Sequence, residues 1–207
     1  MYVNSIIRSN YSFDTLADYT YEHIFIDNAS KDGTGCHFCV KLGKGMTKNV
    51  KIDIEILKNF GHIRSPYYGL LQATGDAAIL MVADLQDPPS LIPVFIKKWE
   101  EGHQIVLGVK NKSKENPAMF ALRKMYYQLM AKSSSTEHVS NFTGFGLYAQ
   151  SFLNTLRSIE DPYPYFRGMV AELGADYCTV TYTQPVRQRG KTRITFILFM
   201  IWQCWGL

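Results

Sequence analysis

One stretch, Ala73–Gly102, restricts the possible folds more than any other. Ala77-Ala78-Ile79-Leu80-Met81-Val82 is continuously apolar and short. A half-buried strand alternates, so an unbroken run of this length fits a central strand covered on both faces. It stops at Ala83-Asp84-Leu85-Gln86-Asp87-Pro88-Pro89. Leu91, Ile92, Phe95, Ile96 and Trp99 then recur at helical spacing, with Lys97, Lys98 and Glu100 between them. Asp87 reads as the helix N-cap and Pro88 as its first residue. Pro93 is expected to bend this helix. Gly102 ends it, and Gln104–Val109 returns as a strand. A buried strand, a carboxylate-bearing loop, a helix and a second strand form the repeating unit of an α/β protein.

The rest of the chain extends that pattern. Tyr21–Ile26 is a β-branched and aromatic strand that stops at the polar turn Asp27–Gly33. Val50, Ile52, Ile54 and Ile56 alternate with Lys51, Asp53 and Glu55, the period of a half-buried strand. Pro117–Lys132 reads as a long amphipathic helix, Tyr165–Leu173 as a shorter one closed by Gly174, and Tyr177–Tyr182 as a final strand. Thr34–Asn49 has no period and reads as a loop. Strands alternating with helices predict parallel βαβ units, whose ligand crevice lies beyond the carboxyl ends of the strands. Asp27 and Asp84 both sit at such ends.

Composition sets the outer bounds. With 46% apolar and 19% charged residues in 207, the chain can bury a real core, and wholesale disorder is excluded. A net charge of +4 suits anionic ligands but makes no case for nucleic acid. Four cysteines are no disulfide scaffold, so a reducing, cytoplasmic setting is the default. Cys36-His37-Phe38-Cys39 is a lone CxxC with no second pair to complete a zinc site. Met1–Asn10 has no apolar core of a signal peptide, and Ile194–Trp205 falls short of the roughly 20 residues a membrane span needs.

Three clusters could carry chemistry. Asp84, Gln86 and Asp87 offer oxygen ligands that suit Mg²⁺ or Mn²⁺ beside a diphosphate, or they merely cap a helix and end a strand. Asp27, Asn28, Ser30 and Asp32 could accept hydrogen bonds from a ribose or base, or form an Asx-rich turn that satisfies its own backbone. Arg187, Arg189, Lys191 and Arg193 flank Gly190. They could grip a phosphate, lie against an anionic membrane surface, or form a solvated basic loop. On residue types alone, all of these readings stay open. No GxSxG, Walker or GxGxxG motif occurs.

Taken in order, Tyr21–Thr34 (YEHIFIDNASKDGT), Lys58–Leu71 (KNFGHIRSPYYGLL), Ala73–Gly102 (ATGDAAILMVADLQDPPSLIPVFIKKWEEG), Asn141–Tyr148 (NFTGFGLY), Pro162–Gly174 and the Arg187–Arg193 loop resemble glycosyltransferase family 2. The polyprenyl-phosphate sugar transferases are the subgroup they resemble. The resemblance implies a three-layer GT-A fold with a mixed, mostly parallel sheet. It also implies inverting transfer of a sugar from a UDP- or GDP-linked donor to a polyprenyl phosphate or a glycan, assisted by Mg²⁺ or Mn²⁺. By position, Asp27 resembles the nucleotide-binding aspartate, with Asn28 and Asp32 beside it. Asp84 resembles the metal-binding aspartate, which also contacts the nucleotide, and Gln86 a further metal-site residue. Lys110, Arg123, Arg187, Arg189 and Thr192 fall where the family faces acceptor phosphate, and Arg187 with Asp84 would carry the reaction.

Three departures accompany the resemblance. Met1–Thr20 holds nothing like the family's first strand and nucleotide-cupping loop, so the domain is expected to be N-terminally truncated. Its expected bounds are 21–193, between an irregular segment at 1–20 and an apolar tail at 194–207. Val82 stands in place of the first aspartate of the DxD motif. Thr143 and Gly144 supply no carboxylate where many relatives have one. A catalytically inactive remnant that binds only a nucleotide or a partner is the competing expectation, and peripheral membrane contact through the basic loop and tail is a third.

Overall fold

The computed structural model describes residues 16, 18–29, 50–55, 59–82, 86–111, 139, 141–161, 163–174 and 176–185, with backbone alone at 50–55, 62 and 63. Among them β1 (His23–Asp27) pairs in parallel with β2 (Val50–Glu55), and the register ends with Asp27 opposite Glu55. Helix α1 (Gly61–Leu71) follows, then β3 (Ala77–Leu80), a 3₁₀ turn (Pro89–Leu91), α2 (Ile92–Glu100) and β4 (Ile105–Lys110). After these come β5 (Phe142–Ala149), α3 (Gln150–Ser158), α4 (Phe166–Leu173) and β6 (Tyr177–Tyr182). Four strands form one sheet in the order β3-β5-β4-β6; β5 is antiparallel to both neighbours, and β4 and β6 are parallel. The architecture is a mixed α/β sheet with helices on both faces.

Side-chain alternation along β4 and β5 builds the layers. Ile105 and Leu107 point to one face, where they meet Tyr148, Tyr67, Leu70, Phe152, Leu153, Leu156, Phe166 and Val170 from α1, α3, α4 and β5. Val106 points to the other, where it meets Phe145, Leu147 and the Ile92, Phe95 and Ile96 stripe of α2. Glycine lets the two central strands close up. A Cβ at Gly146 would stand 2.5 Å from the carbonyl oxygen of Val106. Helix α2 stops as its sequence predicts: Gly102 has φ +103, its N–H bonds the Trp99 carbonyl at 2.9 Å, and that of His103 bonds Lys98 at 3.3 Å. This is the two-bond glycine cap that satisfies the last carbonyls of a helix. Arg157 of α3 serves the end of α1 in the same way, donating to the carbonyls of Leu71 at 2.9 Å and Ala73 at 2.6 Å.

Three expectations need correction. Ala77–Leu80 is covered on both faces, since Ala78 and Leu80 pack on one cluster and Ala77 and Ile79 on the other. It is nevertheless neither central nor the most buried strand: β5 inserts between it and β4, leaving β3 an outer strand of this sheet among those described and only half-buried. Asp87 does not cap α2. Leu91 occupies the cap position without a side-chain bond, and Pro88 lies outside the helix. Pro93 sits in the first turn of α2, where a missing N–H costs no helical bond, so nothing requires a bend there. The expected helix at Pro117–Lys132, the CxxC pair, the loop at Thr34–Asn49 and the tail at 194–207 lie outside the described residues.

Candidate functional site

The first part of the site is the carboxyl end of β1. Asp27 is the last residue of the strand and is buried, with 8% of its surface exposed. Asn28 follows and turns its amide away from its own turn. Its Nδ2 donates to Asn59 Oδ1 at 3.0 Å and to the Gly61 carbonyl at 3.1 Å, while its Oδ1 accepts from the Phe60 N–H at 2.9 Å. Asn59 Oδ1 also accepts from the Gly61 N–H at 2.8 Å. Gly61 has φ +81, a left-handed conformation that glycine adopts without strain, and α1 starts there. The Asn28 amide thus fastens the start of α1 to the end of β1. The Asn28 bonds thus span from β1 to α1 rather than closing on its own turn, and Ser30 and Asp32 lie outside the described residues.

The second part is the rim formed by β3, β4 and β6. All three strands run the same way, as the pairings through β5 require, so their carboxyl ends lie together. Asp87 is buried there at 3% exposure. Its Oδ2 accepts from the Val82 N–H, just past β3, at 3.1 Å, and its Oδ1 accepts from the Tyr182 hydroxyl, at the end of β6, at 2.9 Å. Lys110 ends β4 opposite Tyr182, and the Asn111 N–H donates to the Tyr182 carbonyl at 2.7 Å. Beneath them, the Tyr148 hydroxyl donates to the Gly144 carbonyl at 2.8 Å. Burial, reinforced by the negative charge of Asp87, holds the Tyr148 phenol well above its ordinary range.

The structure therefore places Asp27, Asn28 and Lys110 at strand ends, while Gln86 is half-buried and directly precedes Asp87. Asp32, Asp84, Arg123, Arg187, Arg189 and Thr192 lie outside the described residues. Among the described residues no three His, Cys, Asp or Glu side chains converge as a cation site would require. Both oxygens of Asp87 are already engaged by Val82 and Tyr182. The described residues thus do not by themselves fit a divalent ion, and no step below is routed through one. Asn59, Tyr182 and the bracket role of Asp87 escaped the sequence reading. The signal for Asn59 was the Asn-Phe-Gly turn ahead of a helix; Asp87 and Tyr182 lie far apart in sequence and gave none.

The sequence profile described as glycosyl transferase family 2 matches residues 3–161. The chain belongs to that family. The match begins ahead of β1 and runs through α3, so it includes Asp27 and Asp87 but not α4 or Tyr182 of β6. Among family relatives, the uncharacterized glycosyltransferase YkcC of Bacillus subtilis is 30% identical over 84% of this chain and 53% of its own length. A prophage bactoprenol glucosyl transferase homolog of Escherichia coli is 27% identical over 94% of this chain and 61% of its own. The bactoprenol glucosyl transferase of Shigella phage SfX is 26% identical over 94% and 62%. The chain thus spans between half and two-thirds of the length of these relatives. A solved structure of S. aureus TarS aligns at TM-score 0.45 and 17% identity, covering 87% of this chain and 58% of that one. No described helix is long and apolar enough to cross a membrane.

Proposed function

We propose that the chain transfers a sugar from a nucleoside-diphosphate donor to a polyprenyl phosphate, inverting the anomeric carbon. Family membership supports sugar transfer, and two relatives carry bactoprenol glucosyl transferase in their names. The observation that carries the donor half is Asp27, a buried carboxylate at the carboxyl end of a parallel strand, where open α/β sheets bind their ligands. In this reading Asp27 accepts hydrogen bonds from the nucleoside, with Asp32 as a further acceptor. Asp84, with Gln86, would hold Mg²⁺ or Mn²⁺, whose contribution is to neutralise charge on the departing diphosphate.

The acceptor half follows from chemistry. An attacking sugar hydroxyl must lose a proton and needs a base. A phosphate monoester has a second pKa near 6 and is already largely ionised at neutral pH. One of its oxygens attacks the anomeric carbon from the face opposite the diphosphate. The new C–O bond forms as the bond to the diphosphate oxygen breaks, and no proton need move. The Thr143-Gly144 position, which has no carboxylate, is compatible with such an acceptor. Lys110, Arg123, Arg187, Arg189 and Thr192 would orient it. The reading places the protein in the cytoplasm, at the membrane face that holds the lipid phosphate.

Two measurements test the reading. Titration calorimetry with UDP and with GDP, each with Mn²⁺, is expected to show binding by one nucleotide that Asp27→Asn weakens at least about tenfold, or about 1.4 kcal/mol. Incubation with a nucleotide-sugar and either a polyprenyl phosphate or a glycan alcohol is expected to give transfer to the phosphate. Transfer to the alcohol alone overturns the acceptor assignment. No heat at millimolar nucleotide favours the non-catalytic remnant.

A further inference from the structure

Asp87 is among the few buried charged side chains described in this fold, and it caps no helix. A buried carboxylate is costly unless hydrogen bonds compensate it, and both of its oxygens are used. One accepts the Val82 N–H, five residues back in the chain and two past the end of β3. The other accepts the Tyr182 hydroxyl from the last residue of β6, five residues before Arg187. The Tyr182 ring is itself fixed edge-on against Phe145 at 5.4 Å, and its backbone is tied to β4 through Asn111 and the pairing with Lys110. A single carboxylate therefore joins the chain leaving β3 to the chain leaving β6.

We infer that Asp87, acting through Tyr182, is a positioning residue that fixes where the Asp84-bearing segment leaves the sheet relative to the strand leading to Arg187. Asp87 touches neither donor nor acceptor in this scheme. It sets the departure points of the two chain segments to which the proposed function assigns donor and acceptor. A shift of about 1 Å between reacting groups can cost on the order of a hundredfold in rate, so such a tie bears on turnover more than on the affinity of either substrate alone.

The activity readout of this inference rests on the proposed transferase reaction; its hydrogen-exchange readout does not. Asparagine at position 87 can keep both ties, accepting from Val82 through Oδ1 and donating to the Tyr182 oxygen through Nδ2, whereas alanine keeps neither. In the full chain, Asp87→Ala is expected to lower kcat roughly 10- to 100-fold, with each KM changed less than about threefold, and Asp87→Asn to restore most of kcat. Tyr182→Phe removes one oxygen and keeps the ring on Phe145, so it carries the test if Asp87→Ala does not fold. The Val82 amide is expected to exchange with deuterium at least about tenfold faster in Tyr182→Phe, while amides of α3 stay protected. Unchanged Val82 exchange overturns the inference, as does faster exchange with unchanged kcat. Asp87→Asn as inactive as Asp87→Ala also overturns it, because charge rather than position would then matter. A wild type that binds nucleotide but transfers nothing refutes the proposed reaction, and Val82 exchange then decides the tie alone.

Discussion

Asn28→Ala separates a structural fastening from a ligand contact. The wild-type amide makes three hydrogen bonds to the Asn59–Gly61 turn, at 3.0, 3.1 and 2.9 Å. Each such bond contributes about 0.5–1.5 kcal/mol net. The turn is partly open to water, with Phe60 47% exposed, so solvent takes over some of the lost partners and the lower half of the range applies. The expected cost is about 2 kcal/mol, which for a chain of this size lowers the melting temperature by about 4–8 °C. Asn28→Asp is the informative companion. It keeps an acceptor for the Phe60 N–H but sets a second oxygen against Asn59 Oδ1 and the Gly61 carbonyl, so it is expected to destabilise at least as much as alanine. A ribose or base contact, by contrast, would tolerate an added carboxylate acceptor. Urea denaturation followed by far-UV circular dichroism measures the stability, and nucleotide titration of the folded variants measures binding. Loss of less than about 0.5 kcal/mol of stability together with a tenfold loss of nucleotide affinity would refute the fastening and make Asn28 a ligand.

Two further outcomes are expected. Gly146→Ala drives a methyl to within 2.5 Å of the Val106 backbone oxygen, which cannot retreat without opening the β4–β5 pair; a loss of about 1–3 kcal/mol in urea is expected. Gly75→Ala, whose Cβ meets nothing nearer than 3.7 Å, is the control and should stay within about 0.5 kcal/mol of wild type. Burial lowers the pKa of His23 from its ordinary value. The folded protein thus resists protonation that the unfolded chain accepts, so the stability held above the unfolded pKa near 6.5 is lost as pH falls below it. His23→Gln should flatten the decline in urea midpoint between pH 7 and pH 5, and parallel slopes in the two proteins would contradict the assignment.

Local pattern carried most of the elements. Strands β1, β2, β4 and β6 and helices α2 and α4 were visible because period-two or helical spacing and a closing glycine act within a few residues. Strand β5 was not: Gly144 and Gly146 break its apolar run, although Gly146 is what allows it to lie against β4. Helix α1 was hidden by Pro66, which removes an internal N–H and reads as a break. The bend predicted at Pro93 failed for the converse reason, since the first turn of a helix has no bond there to lose.

The amino-acid order alone determined an α/β chain whose carboxylates follow strands, and the run from Ala73 to Gly102 carried its resemblance to family 2 sugar transferases. Position along the chain put Asp27 at a strand end, because a strand and the turn after it are written in neighbouring residues. Only the tertiary structure decided that Asn28 serves α1 rather than its own turn, that β3 is an outer strand, and that Asp87 is a bracket to Tyr182 instead of a helix cap. The first and third depend on which groups the fold brings to about 3 Å across 31 to 95 residues of sequence, and the second on the pairing of β3 with β5. A buried polar atom takes whichever partner the packing offers, and no local pattern records that choice.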